Sequence, residues 1–293
     1  SRRRHTRFRN VTGVQTCALP IYIGSDDVVA DAIGTGYPKV GIGLSDIDQW
    51  IKDENISGGD SDSENANRVW DTADTQKISY FTPADWQKAT GLQASVSYAP
   101  SLTNNNTEAN IVVSTQNQNA YALGLTYSRN LMDVDTYIAY AYVHQSESGS
   151  SASSSIANSA GMWAHHISAQ FKYGPWILGG AYQRSSDNAL KRNTAAAMSS
   201  TSLSGWSYNV GVAYTMGRWQ FGVAHGHTDV EGDVGNKGHD KRDFQDFAAK
   251  YDFGVGFDWR TSLIHSHQKK DVQVDSTTVD GGWGIVTGFV AAF

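Results

Sequence analysis

The sequence predicts an all-β fold, an antiparallel barrel that crosses a membrane, and three observations lead to it. The stretch from Trp206 to Thr215 places Trp206, Tyr208, Val210, Val212 and Tyr214 on one face of an extended strand, with Ser207, Asn209, Gly211, Ala213 and Thr215 on the other. Side chains alternate along a strand with period two, so one face is apolar with aromatic ends and the other is small and polar, as a wall between lipid and water requires. The same pattern recurs about ten times along the chain, with short and long connections taking turns. Finally, Tyr (14) outnumbers Leu (11), and Trp reaches 9. A soluble core of this size leans on Leu, whereas membrane interfaces collect Trp and Tyr. No run of 18 apolar residues exists, which excludes a transmembrane helix. The negative mean hydropathy does not argue against a barrel, because only every second residue of a barrel strand faces lipid.

The chain opens on a segment set apart from this pattern. Residues 1 to 21 combine an Arg-rich run with Val11-Thr-Gly-Val-Gln-Thr-Cys-Ala-Leu-Pro-Ile21, which looks like a translated sequencing adapter and is set aside as a non-native leader. A signal peptide fails here because Thr12, Gln15 and Thr16 interrupt the apolar stretch it needs. Without the leader, five of the 23 basic residues and none of the 29 acidic ones are lost, so the balance is 18 − 29 = −11. Cys17 goes with it, which leaves no disulfide, no thiolate nucleophile and no cysteine zinc site. The acidic balance also argues against nucleic acid as a partner.

Eleven strands follow in order from residue 76: Gln76 to Thr82, Gly91 to Ala99, Asn119 to Ser128, Val134 to Gln145, Met162 to Tyr173, Trp176 to Arg184, Gly205 to Met216, Arg218 to Asp229, Phe244 to Phe253, Gly256 to Gln268 and Gly282 to Phe293. Between them, short or compact connections (Pro83 to Thr90, Arg129 to Asp133, Gly174-Pro175, Gly217, Gly254-Val255) alternate with long Ser-, Asn- and Asp-rich ones. Outer-membrane barrels have short turns at one end and longer loops at the other. An odd count cannot close an antiparallel bacterial barrel, so an odd number of strands is expected upstream of residue 22.

The paired segments Lys77-Ile-Ser-Tyr-Phe-Thr-Pro83 and Gly91-Leu-Gln-Ala-Ser-Val-Ser-Tyr-Ala-Pro100 resemble a matched strand pair of Gram-negative general porins, in particular the alphaproteobacterial type. Ile23 to Ile33 looks like the end of that family's fifth strand running into its third loop. The resemblance covers residues 22 to 293 as a partial porin β-barrel domain, about eleven C-terminal strands of a sixteen-stranded barrel. It implies passive diffusion of small hydrophilic solutes and ions through the bacterial outer membrane, with no cofactor and no covalent step. It also implies outer-membrane lipids as surroundings and a homotrimer as the assembly. An aromatic final strand, here with Phe289 and Phe293, is what the outer-membrane assembly machinery reads in such proteins.

The resemblance implies that the third loop, at about residues 24 to 70, folds into the lumen and sets acids against basic side chains on the wall. Ser25 is suited to cap a short helix whose first turn holds Asp26 and Asp27, where carboxylates meet the positive helix end, with Gly34 to end it. Asp26, Asp27 and Asp31 are the acidic constriction candidates. Strand parity selects the basic wall: Lys77, Lys172, Lys250 and Arg260 each lie opposite aromatic or aliphatic neighbours. A charge at the lipid midplane would cost roughly 2–4 kcal/mol, which sends these four toward water. The balance of −11 favours cations in the bottleneck.

Three other readings stand beside this one. His225-x-His227 and His265-x-His267 have a spacing that suits zinc or copper, but no third ligand is identifiable, and no metal is assigned. An outer-membrane barrel with an enzymatic or structural role would need a convergent nucleophile and base, and no such motif occurs. A soluble all-β binding protein would bury the apolar faces in a dry core. The partial barrel by itself would expose two strand edges and is expected not to conduct.

Overall fold

We describe a computed structural model of the chain, which defines residues 21–25, 29, 33–41, 76–101, 118–146, 162–185, 204–231, 239–270 and 278–291. Among the described residues twelve strands form one antiparallel sheet in sequence order. They are β1 (Ile21–Ser25), β2 (Gln76–Phe81), β3 (Leu92–Ser101), β4 (Gln118–Leu131), β5 (Val134–Ser146), β6 (Met162–Tyr173), β7 (Trp176–Ser185), β8 (Gly205–Met216), β9 (Trp219–Glu231), β10 (His239–Gly254), β11 (Phe257–Lys270) and β12 (Thr278–Ala291). A short helix, α1 (Ala84–Thr90), bridges β2 and β3 and ends on Gly91, whose φ of 80° suits glycine alone. Among the described residues no helix is long and apolar enough to cross a membrane.

Eleven of these strands match the expected ones to within a few residues, and β6 and β8 match at both ends. The twelfth, β1, pairs Ile21 with Tyr80 and Ser25 with Gln76, and so takes in the last residue of the expected leader. The strands among the described residues number twelve, an even count, so the expectation of an odd number upstream does not follow from them. Even so, β12 is paired only with β11 and β1 only with β2, so the described ladder is open. The largest boundary difference is in β10, which starts at His239 rather than Phe244. The run His239-Asp-Lys-Arg-Asp243 reads as a polar loop in sequence, yet it completes a ladder with β9 in which Lys241 opposes Asp229.

The two faces of the sheet differ as the alternation requires. On β8, Trp206, Val210 and Val212 are exposed, while Ser207, Asn209, Gly211 and Ala213 are buried. This is the reverse of a soluble core. The exposed face is banded: Leu123, Leu125, Ile167, Leu178, Val210, Val212, Val223 and Leu263 form an aliphatic zone. Aromatic clusters lie on either side. Toward the short turns are Trp176–Tyr214, Trp219–Tyr251 and Phe257–Phe289, and toward the long connections are Tyr98–Tyr121, Trp163–His165 and Tyr182–Trp206. From Trp206 to Tyr214 the chain rises roughly 27 Å at 3.4 Å per residue. A strand tilt of 35–45° reduces that to roughly 19–22 Å along the membrane normal, close to the apolar band of about 25 Å in such barrels.

Candidate functional site

The buried face owes its burial to an inner segment. Residues 33–41 follow no regular structure and lie against the wall, together with Val29. Val29 and Ile33 pack on Ala122, Ala139, Ala141, Val143 and Ala164. Tyr37 sits among Ala224, Phe244 and Ile264. Val40 rests on Ala213 and Ala248. The segment thus crosses the wall from β4 to β11. Its seat is cut from small residues, because a side chain on the wall would occupy the space the segment fills. A Cβ at Gly179 would lie 2.5 Å from the Gly36 carbonyl oxygen, and one at Gly222 would lie 2.7 Å from Val40 Cγ2.

Two hydrogen bonds fix the segment's height. The Tyr37 backbone N–H donates to Asn209 Oδ1 at 3.1 Å, and the Tyr137 hydroxyl donates to the Ile33 carbonyl at 2.9 Å. Each neutral bond of this kind contributes about 0.5–1.5 kcal/mol net, and removing one partner exposes the full desolvation cost of the other. Tyr37 and Val40 are both only 2% exposed, whereas Lys39 between them is exposed. Lys39 is therefore the residue of this stretch that reaches solvent, and it has an interaction partner of its own.

Above the segment, toward the long connections, runs a polar row. His166, Gln183, Ser207, Thr228 and Arg242 are register partners across β6 to β10, and all five are buried on the inner face. Below it, toward the short turns, Lys250, Asp258 and Arg260 form a charged cluster. Lys250 Nζ lies 3.2 Å from Asp258 Oδ2, and Arg260 grips both Asp258 oxygens at 2.7 and 2.9 Å.

The expected site residues are placed as follows. Lys77 is on the inner face of β2 and 4% exposed, opposite the exposed Ile78, as parity required. Lys172 is on the inner parity of β6, exposed near the short turn, in register with Asp135. Lys250 and Arg260 come together, but their acidic partner Asp258 is on the wall itself. Asp26, Asp27 and Asp31 lie outside the described residues, as does most of the span 24–70. Phe289 is 66% exposed on the outer face and stacks on Phe257 at 5.4 Å, while Phe293 lies outside the described residues.

Sequence reasoning missed Lys39, Arg242 and Asp246. Arg242 escapes a strand that starts at Phe244, two residues beyond it, whereas Asp246, on the inner face of β10 and 3% exposed, shares the parity of Ala248 and Lys250 and is open to the same argument. The paired histidines face outward. His225 contacts Tyr208, His227 Nδ1 is 2.7 Å from Asp243, and the His265 ring lies tilted against Trp283 with centroids 4.5 Å apart. His165 and His166 point to opposite faces. Among the described residues no three His, Cys, Asp or Glu side chains gather as metal ligands.

A family model described as Gram-negative porin matches residues 10–271. The fold is similar to that of an anion-selective porin from Comamonas acidovorans, with a TM-score of 0.53, 13% identity, and coverage of 93% of this chain and 74% of that one. It is also similar to OmpT, an outer-membrane protein of Vibrio cholerae, with a TM-score of 0.51, 10% identity, and coverage of 92% and 75%. At these identities the likeness concerns the fold alone. No curated protein matches the sequence.

Proposed function

The chain belongs to the Gram-negative porin family, the channels of the bacterial outer membrane, and on that premise we propose how its residues shape the water path. Small hydrophilic solutes and ions diffuse passively along the inner face, without a cofactor or a covalent step. The observation that carries this reading is the partition on β8, where Trp206, Val210 and Val212 face outward and Ser207, Asn209 and Ala213 face the inner segment. A segment that covers the wall by packing on alanine and glycine narrows the path without chemistry.

Selectivity then rests on the charges beside the narrowed path. A ring of one sign lowers the barrier for counter-ions and raises it for co-ions. Lys39 and the pair Lys250 and Arg260, offset by Asp258, are the cationic contributors, with Lys77 and Lys172 further along the wall. Asp26, Asp27 and Asp31 remain the proposed acidic side of the constriction.

The twelve strands are read as part of a sixteen-stranded barrel of the alphaproteobacterial type, preceded in this chain by a non-native leader. Support comes from the open ladder, since a membrane barrel has no free edge, and from the roughly three-quarter coverage of the similar porin. Assembly as a homotrimer, with Phe289 and Phe293 read by the assembly machinery, completes the proposal. The test is single-channel recording from the closed barrel in planar bilayers. Discrete steps that scale with salt concentration support it, and a folded, inserted protein that never conducts overturns it.

A further inference from the structure

Beneath the inner segment lies a carboxyl group that the water path does not use. Asp246 is on the inner face of β10 and 3% exposed. Its register partners are Ala224 on β9 and Ile264 on β11, and Phe244 and Ala248 flank it on its own strand. The segment sits on these same residues: Tyr37 packs on Ala224, Phe244 and Ile264, and Val40 packs on Ala248. The rings of Tyr37 and Phe244 have centroids 6.1 Å apart. At Gly41 the backbone itself approaches the wall, since a Cβ there would collide with Ser262 Oγ. Asp246 thus occupies the centre of the seat, closed over by residues 37–41. We propose that Asp246 is the proton-controlled release point of the inner segment, which stays seated while this carboxyl is neutral and lifts when it ionises.

Little in the seat can hold a negative charge. Asp246 Oδ1 is fully buried and, like Ser262 Oγ beside it, makes no well-formed hydrogen bond among the described residues. On β9 and β11 the neighbours on the inner face are Gly222, Ala224, Gly226, Ser262, Ile264 and Ser266, none of them charged. The nearest charges of β10 on that face, Arg242 and Lys250, are each four residues away, roughly 13 Å along the strand. Both are directed elsewhere: Arg242 Nε donates to Ser266 Oγ at 3.4 Å, and Lys250 Nζ lies 3.2 Å from Asp258 Oδ2. On the segment the titratable groups are Tyr37, which packs on the wall, and Lys39, which is exposed and has an interaction partner of its own.

A carboxylate in this seat would lack water and counter-charge together, whereas the neutral acid loses far less on burial. Ionisation therefore opposes seating, and water that enters under residues 37–41 relieves it. The seated form holds one proton more than the lifted form. Seating is accordingly strongest in acid and weakens as pH rises, by up to about tenfold in the equilibrium constant per pH unit.

The proposal deepens the channel reading, because the segment narrows the water path, but one of its readouts does not need conduction. In the closed barrel that contains this chain, with Cys17 replaced, Val40→Cys reports the lift through its reaction with a charged, membrane-impermeant thiol reagent between about pH 5 and about pH 9. Each rate is divided by that of Val40→Cys in an Asp246→Asn background, so that thiol ionisation and the titration of other groups, such as His166, cancel. The ratio is expected to be close to unity in acid and to rise by up to about tenfold per pH unit as Asp246 ionises. In planar bilayers the parent is expected to become noisier and less conductive over the same range, while Asp246→Asn stays quiet. Asp246→Ala, also uncharged, is expected to match Asp246→Asn and replaces it if heat-modifiable electrophoretic mobility shows that the amide hinders folding. A ratio that stays flat or falls with rising pH would overturn the proposal. A rising ratio in a protein that never conducts, or whose conductance ignores pH, would support the release point and count against the channel reading.

Discussion

Adding a side chain at Gly222 tests whether the inner segment rests on the wall. A Cβ at this position meets Val40 Cγ2 at 2.7 Å and Val40 Cβ at 3.0 Å, while the nearest other atom, the Val212 carbonyl oxygen, is at an ordinary 3.7 Å. The strand therefore tolerates the substitution, and the whole conflict falls on Val40. Ordinary contact begins near 3.4 Å, so Gly222→Ala moves Val40 about 0.7 Å off the wall, and Gly222→Leu moves it further. Overpacking of this kind costs about 1–3 kcal/mol. Burying Val40 contributes about 1.5–3 kcal/mol, so the two effects nearly cancel and residues 40–41 lose their seat. Tyr37 and Ile33 stay anchored on β8 and β5. The displaced end can move only into the water path, so in the closed barrel that contains this chain single-channel conductance falls from Gly222→Ala to Gly222→Leu and current noise rises. Val40→Ala removes Cγ2 and leaves only Cβ at 3.0 Å, a few tenths of an ångström too close, so it should restore most of the conductance in the Gly222→Ala background. Unchanged conductance and noise in Gly222→Leu would show that the segment does not narrow the channel.

Other expected outcomes concern charge, lipid contact and closure. Lys39→Glu reverses a charge that projects from the segment, and the reversal potential in a salt gradient should shift toward cations; no shift would remove Lys39 from the ion path. Val212→Arg places a charge in the aliphatic zone and should destabilise the folded barrel in vesicles by about 2–4 kcal/mol in urea titrations, whereas Gln220→Arg on the inner face should cost less than about 1 kcal/mol. Similar costs at both positions would contradict the assignment of faces. The present chain alone, whose described ladder is open at β1 and β12, should give no discrete conductance steps after refolding, and regular steps would refute the sixteen-stranded reading.

How far the sequence reveals this structure depends on the distance over which each feature is encoded. Alternation is local, so β8 is legible from Trp206, Val210 and Val212 without any partner. The beginning of β10 is not, because Asp240, Lys241, Arg242 and Asp243 suggest a loop until β9 supplies the opposing ladder. β1, at five residues, is too short to announce itself by alternation, and only the resemblance marks a strand ending near Ile23. The inner segment is the hardest case. Its place in the lumen is an expectation from the resemblance alone, and nothing in Ile33 to Gly41 names its seat, since the complement is scattered over Ala139, Gly179, Gly222 and Ala248 on four different strands. Parity assigns a strand residue to a face, but it carries no information about which acid a base meets, and the contact of Asp258 with Lys250 and Arg260 is not written in any one strand.

The central claim is that odd and even positions of one strand divide between lipid and water. Single cysteines at Val210 and Val212, and at Gln220 and Lys39, each in a background with Cys17 replaced, can be compared for reaction with a charged, membrane-impermeant thiol reagent in proteoliposomes. The account predicts rapid labelling at Gln220→Cys and Lys39→Cys and protection at Val210→Cys and Val212→Cys. Labelling of Val210→Cys and Val212→Cys as fast as Gln220→Cys would contradict it.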